Sequence, residues 1–264
     1  MDSRTARPLA LVTGASRGIG AALARELARH GHDLALTARS VEPMRALADE
    51  LHQIGADTTV IAADLSEHGA AARLAEELEG RGLRVDVLIN NAGIGAAGQF
   101  DRLDPVLIGD LLQLNVVSLT ELTRKLLPGM IVRGHGRIML VSSVAAFYPG
   151  PHWAIYYASK AYVLSLGEAL AHELRGTGVT VTTLCPGTTA TEFFEAAGVS
   201  PSGLAARSGR MMPAERVARL GCEALLAGRR LAITGAANRL AAFAGRHAPR
   251  RLMMGIVDRL LLND

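Results

Sequence analysis

The chain has 264 residues, 49% hydrophobic and 20% charged, a balance that supports a buried core and excludes a disordered polymer. Its formal charge of +3 and its 4% of aromatic residues leave no basic stripe with interleaved rings, so nucleic acid is not an expected partner. Two cysteines, Cys185 and Cys222, give no disulfide framework and fit a cytoplasmic protein with reduced thiols, and no metal site is expected.

The first eight residues are polar and the apolar run after them is short, which argues against a secretory signal. That run predicts a buried parallel strand over residues 9–13. It leads into Thr13-Gly14-Ala15-Ser16-Arg17-Gly18-Ile19-Gly20, and residues 21–30 then read as a helix. Glycines at a strand-to-helix turn let the backbone approach a pyrophosphate, and the helix N-terminus favours the anion. The spacing is G-x-x-x-G-x-G, which differs from the common dinucleotide fingerprint and from the P-loop, and a plain tight turn remains an alternative.

A second strand over 33–38 ends at Ala38-Arg39-Ser40. A carboxylate at this place would bind the ribose 2′-hydroxyl of NAD, whereas a 2′-phosphate needs donors and positive charge. Arg39 and Ser40, with Arg17 from the glycine turn, therefore favour NADP(H), although either arginine could be a solvated surface charge. Further strands are expected over 57–62, 85–90, 136–142, 179–184 and 231–234, with amphipathic stretches between them. Such alternation predicts a doubly wound parallel α/β sheet of about seven strands that binds its ligand at the strands' carboxyl ends. Asp64-Leu65 follows the third strand, Asn90-Asn91-Ala92-Gly93 the fourth, Ser143 the fifth and Pro186-Gly187 the sixth, so all should meet in one crevice. Asp64 could also be a helix N-cap, since Leu65-Ser66-Glu67 begins a helical stretch.

Residues 153–176 read as a helix that puts Tyr156 and Lys160 one turn apart on one face. An ammonium beside a phenol favours the phenolate and brings the group closer to the range where acid–base catalysis works. Of 28 basic residues only Lys125 and Lys160 are lysine, so a compact ammonium at position 160 has a specific use. Tyr157 has Ala161 four residues on and lacks such a partner; Ser142 would face the other way from Ser143 on a strand. Asn115, between Leu114 and Val116, is a poor helix former that needs a hydrogen-bonding reason.

The segment 188–212 is long for a loop and reads as a lid carrying Phe193, Phe194, Leu204, Met211 and Met212. With Phe147, Tyr148 and Trp153 it suggests an apolar pocket for a bulky ketone, aldehyde or alcohol, or else local packing of the lid. After residue 235 come two helical stretches; the second places Met253, Ile256, Val257 and Leu260 at helical spacing, and Arg239, Arg246, Arg250, Arg251 and Arg259 make the polar face basic. Such a tail could lie on an anionic membrane surface, cover the lid or pack against a second subunit; protein packing is the favoured expectation.

Taken in order, Thr13-Gly14-x-x-x-Gly18-Ile19-Gly20, Asp64, Asn90-Asn91-Ala92-Gly93, Asn115, Ser143, Tyr156-x-x-x-Lys160 and Pro186-Gly187 resemble the short-chain dehydrogenase/reductase family over residues 8–234. The stretches 114–117 and 185–194 look more narrowly like DltE-type bacterial oxidoreductases. The resemblance implies one Rossmann-type domain over 8–235 with a helical extension over 236–264, and NADP(H) bound by Gly14, Ser16, Arg17, Gly18, Ile19, Gly20, Arg39, Ser40, Asp64, Leu65, Asn91, Ala92 and Gly93. It further implies that Tyr156 donates the proton, Ser143 holds the carbonyl oxygen, Lys160 binds the nicotinamide ribose and lowers the tyrosine pKa, and Asn115 holds a water linking Lys160 to solvent. Pro186, Gly187 and Thr191 would lie at the nicotinamide, and Phe147, Trp153, Phe193 and Phe194 would line the substrate. A homodimer or homotetramer is the implied assembly; no integral membrane segment is expected, since no apolar stretch reaches the roughly 18 or more residues of a span. A β-ketoacyl carrier-protein reductase and a non-catalytic NADPH-binding regulator are the alternatives; the full Asn115, Ser143, Tyr156 and Lys160 set favours chemistry.

Overall fold

A computed structural model describes residues 7–198 and 211–261. Leu204 of the expected lid lies outside the described residues, as do the side chains of Arg259 and Leu260 in the tail. The strands β1 (Leu9–Thr13), β2 (Asp33–Ala38), β3 (Thr58–Ala62), β4 (Val85–Asn90), β5 (Gly136–Val141), β6 (Val179–Cys185) and β9 (Leu231–Ile233) form one sheet in the order β3-β2-β1-β4-β5-β6-β9. Every pairing is parallel. Two further short strands, β7 (Thr189–Ala190) and β8 (Met212–Pro213), pair with each other and bracket the expected lid.

The sheet is sandwiched because its strands are apolar on both faces. Val12, Ile89, Met139, Val141 and Leu184 point to one side, where α1 (Gly18–Arg29) and α8 (Ala214–Leu226) add Leu23, Leu27, Val217 and Cys222. Leu11, Leu88, Ile138 and Leu140, the alternate residues, point to the other side and meet Leu74 of α3 (Ala70–Gly80), Leu122 of α5 (Leu119–Arg133) and Val163 of α6 (Ala154–Glu173). The fully buried leucines are worth about 1.5–3 kcal/mol each. Strand order reverses between β1 and β4, which opens a crevice at their carboxyl ends.

Three local expectations are corrected. The first helix begins at Gly18 and not at residue 21, because Gly18-Ile19-Gly20 already forms its first turn. Asp64 does not cap a helix: its Oδ1 accepts from Ser66 N at 2.9 Å and Ser66 Oγ at 2.6 Å, an Asx turn, and α3 starts only at Ala70. The helix of Asn115 is continuous from Pro105 to Arg133 and has the length and mean hydropathy to cross a bilayer. It is interrupted by a π-turn, Gln113–Ser118, whose Asn115 and Ser118 are buried, and Leu119, Leu122 and Met130 enter the core. One side of the helix is thus buried in the domain, and the other leaves Val106, Ile131 and Val132 exposed.

The tail forms α9 (Ala236–His247) and α10 (Arg250–Leu261). Ala242 packs on Phe147, Leu164 and Cys185, and Met253 and Val257 of the second helix are buried. Arg246 pairs with Glu168 of α6 at 2.6 Å and lies over the Phe147 ring at 5.1 Å, and His152 Nε2 stands 3.5 Å from Asp258.

Candidate active site

The glycine turn is shaped for something that needs close backbone approach. Gly14 and Gly18 have φ of +64° and +57°, and a Cβ on Gly20 would stand 2.2 Å from Gly14 O. No side chain caps the first turn of α1 and no acid lies in it, so its N–H groups are available to an anion. The turn is tied to the end of β4 by Asn91, whose Nδ2 donates to Thr13 O at 2.9 Å, while Thr13 Oγ1 accepts from the N–H groups of Asn91 and Ala92 at 2.9 and 3.0 Å. Ser16 sits in this turn, and Leu65 is buried at the far wall, where its carbonyl accepts from Ser118 Oγ.

At the rim, Arg17 pairs with Glu192, and Arg39 lies 3.9 Å from Asp64, with Ser40 exposed beside it. Thr191 rests against Gly18: a Cβ there would meet its methyl at 3.1 Å. The residue that follows β7 thus touches the glycine turn. Gly187 is covered by the tail, since a Cβ on it would meet Asn238, whose Nδ2 donates to Thr234 O at 2.6 Å.

The other four residues converge from β5, α6 and the π-turn. Lys160 is 5% exposed and its Nζ donates to Val141 O at 3.0 Å, leaving two donors for another acceptor. Burial pushes its pKa down to about 8. Ser142 donates to Lys160 O at 2.7 Å, whereas Ser143 Oγ accepts from Ala145 N at 3.1 Å and is the hydroxyl that acts on the Tyr156 phenol. Asn115 Oδ1 accepts from Ile94 N at 3.0 Å and Nδ2 donates to Ile94 O at 2.9 Å and Ser159 Oγ at 3.1 Å. Its amide is a clasp on the chain after β4, which supplies the hydrogen-bonding reason for an asparagine in a helix and for the π-turn that aims it inward. Asn115 Oδ1 and Lys160 Nζ approach Gly93 together, at 3.0 and 3.4 Å from where a Cβ would stand.

The expected lowering of the Tyr156 pKa is reversed in this protein alone. Desolvation raises it to about 12, and the Ser143 hydroxyl offsets part of that; the Lys160 ammonium stands 5.7 Å from the ring centroid. The desolvation comes from neighbouring rings. Tyr156 lies 5.7 Å from Trp153 and 5.3 Å from Phe193, and Phe194 closes the group at 6.2 Å from Trp153. Phe147 does not belong to this cage: the short turn Val144–Phe147 directs it to Leu164, Cys185 and Ala242 under the tail. Two participants were missed by sequence reasoning. Gly95 leaves room for the cage, as its Cβ would meet Trp153 and Phe193 at 2.8 and 2.9 Å, and Ser159 links Asn115 to Tyr156 O at 2.7 Å.

A profile of the short chain dehydrogenase family matches residues 8–199. The chain belongs to the short-chain dehydrogenase/reductase family. Membership places it among the NAD(P)-dependent oxidoreductases. It is 39% identical over 190 residues to the very-long-chain 3-oxoacyl-CoA reductase of Anas platyrhynchos, covering 70% of this chain but 60% of that relative. Among solved structures it resembles a short-chain dehydrogenase from Sphingobium yanoikuyae in complex with NADPH, with TM-score 0.81, 33% identity and coverage of 93% of this chain and 95% of the other. It also resembles the bulky-bulky ketone specific alcohol dehydrogenase of Comamonas testosteroni, with TM-score 0.77, 30% identity and 94% coverage of both. Other neighbours of this fold hold NADP or NAD. The narrower DltE-type likeness rests on the sequence alone.

Proposed function

We propose that this chain interconverts a carbonyl and an alcohol on a bulky apolar substrate with NADP(H). The observation that carries the reading is the Tyr156 hydroxyl beside Ser143, roofed by Trp153, Phe193 and Phe194 and set in the same crevice as an uncapped glycine cradle. The cradle, the two free donors of Lys160 and the absence of an acid at Ala38-Arg39 fit a phosphorylated dinucleotide. Gly14, Ser16 and Gly18–Gly20 would hold its pyrophosphate, Arg39, Ser40 and Arg17 its 2′-phosphate, Asp64, Leu65 and Asn91–Gly93 its adenosine, and Pro186, Gly187 and Thr191 its nicotinamide. When bound, the reduced nicotinamide supplies a hydride to the carbonyl carbon.

The protein's own residues do the rest. Negative charge that grows on the carbonyl oxygen is met by the Ser143 hydroxyl, and Tyr156 Oη delivers the proton that completes the alcohol. The phenol is a neutral acid at ordinary pH, as its raised pKa requires for donation. The two free donors of Lys160 would donate to ribose hydroxyls of a bound cofactor, which would stabilise its ammonium and in turn favour the phenolate, so the expected lowering would belong to the loaded site. Asn115 fixes Ile94 and Ser159, the residues next to Gly93 and Lys160, and leaves one Oδ1 lone pair for a water.

The very-long-chain 3-oxoacyl-CoA reductase among the relatives supports the β-ketoacyl reading as an alternative, and the rings of Trp153, Phe193 and Phe194 suit either kind of apolar substrate. The exposed Val106, Ile131, Val132 and Tyr162 on α4 (Pro105–Leu112), α5 and α6 are the proposed face for a homodimer or homotetramer. The test is NADPH oxidation against aliphatic, aryl and acyl-thioester ketones. Turnover of diaryl or branched aryl ketones at least tenfold above short aliphatic ones is expected, and turnover confined to acyl thioesters would replace this reading with the alternative.

A further inference from the structure

The outer face of the tail carries a feature that the catalytic reading does not use. Leu240 is 70% exposed, Phe243 63% and Leu252 58%, and Ile256 and Met254 are exposed on the same two helices. They are not the helices' packing stripe: Ala242, Met253 and Val257 already fill that role, and Leu252 and Ile256 run along the neighbouring strip of α10. A cluster of large apolar side chains left in water on an element that has already buried its inner face marks an interaction surface.

The charges around it define the partner. Arg239, Arg250 and Arg251 are exposed and have no ion-pair partner among the described residues, while Arg246 is held by Glu168. Residues 236–258 contain one acid, Asp258, and it faces His152 on the active-site loop. A second copy of this chain is a poor occupant, because a two-fold contact would set these arginines against themselves with no acid to meet them. Large apolar side chains flanked by arginine suit an anionic lipid surface, where the rings and aliphatic chains enter the headgroup boundary and the guanidinium groups meet phosphate.

We infer that α9 and α10 dock the protein on anionic membrane surfaces, peripherally and reversibly, through Leu240, Phe243, Leu252 and Ile256 with Arg239, Arg250 and Arg251. The same helices contact Phe147 and His152 by their inner faces, so docking sets the loop after Ser143 next to the bilayer, where apolar substrates concentrate. The surface itself does not depend on the catalytic reading.

The test is co-sedimentation of the full chain with vesicles of phosphatidylcholine alone and of phosphatidylcholine with phosphatidylglycerol, with light scattering in the absence of vesicles. Binding to the anionic vesicles, lost as salt is raised, is expected. Arg239→Gln, Arg250→Gln and Arg251→Gln together should lower partitioning on the order of a hundredfold. Leu240→Ser with Phe243→Ser should lower it roughly tenfold or more, with thermal unfolding unchanged because both sites are exposed. Failure to bind anionic vesicles at low salt overturns the proposal, as does equal binding to neutral ones. A serine variant that keeps vesicle binding but shrinks in oligomeric size assigns the face to a second subunit instead.

Discussion

Lys160 and Arg17 both bring positive charge to the candidate site, and the fold treats them in opposite ways. Lys160 is buried and hydrogen-bonded to Val141 O, and its neighbours Ser142, Ser159 and Asn115 are locked in a buried network. Arg17 and Arg39 stand at the rim, more than half exposed, paired with Glu192 and Asp64. Exposed ion pairs are worth about 0–1 kcal/mol, so these arginines can exchange a carboxylate for a phosphate at little cost. Groups proposed to handle a proton are fixed in advance, whereas those proposed to choose between cofactors are held only by exchangeable partners.

The sharpest way to break this contrast is at the fixed strip. Tyr156→Phe should keep NADPH affinity in a fluorescence titration and lose about 100- to 10,000-fold in kcat, since the ring still packs and only the acid is gone. Tyr157→Phe should stay within several-fold, because its ring packs on Gly150 and its position has no lysine one turn on. Equal losses would remove the catalytic strip as a distinct unit.

The rim should respond by roughly tenfold steps, the size of one charge-assisted hydrogen bond. Ala38→Asp with Arg39→Gln should reverse the preference for NADPH over NADH, measured calorimetrically. Glu192→Gln should tighten NADPH a few-fold and leave NADH unchanged, because Arg17 no longer leaves a carboxylate to meet the 2′-phosphate. Identical shifts for both cofactors would mean that Glu192 acts on the lid alone.

The smallest effect concerns the cost of burying Lys160. Its folded pKa of about 8 lies below the unfolded value, so between about pH 8 and pH 10 the unfolded chain binds the extra proton and stability rises with pH. Cys185 and Cys222, both raised to about 12, act in the opposite direction above about pH 9. The comparison must therefore be made with Lys160→Met at each pH. Urea midpoints should show the parent gaining on the variant by about 1 kcal/mol between pH 8 and 9, and parallel pH profiles would mean that Lys160 stays protonated in the folded chain, as a well-solvated or paired ammonium does.

Much of the architecture was legible because it is written in short windows. The apolar runs gave the seven strands of the main sheet to within a residue at each end, and the four-residue spacing of Tyr156 and Lys160 needed only a helix to bring them together. What could not be read were side-chain partners far apart in sequence. The alternative of Asp64 as a helix cap failed because its Oδ1 turns back on Ser66 and the helix begins only at Ala70, while its other carboxylate oxygen meets Arg39 from the end of another strand. Phe147 looked like a pocket residue because nothing near it in sequence shows that Arg246 and Ala242 cover it.

The sequence by itself determined the parallel sheet, the glycine turn and the order of the motifs, since periodicity and backbone freedom act locally. Only the tertiary structure decided that Asn115 clasps Ile94, that Glu192 reaches Arg17 across 175 residues, that rings from two loops desolvate Tyr156, and that the tail shields one face while exposing another. Those outcomes depend on which crossovers stack side by side at the carboxyl edge of the sheet. The field on a titrating group comes from whatever the fold places around it, and no window of sequence contains that.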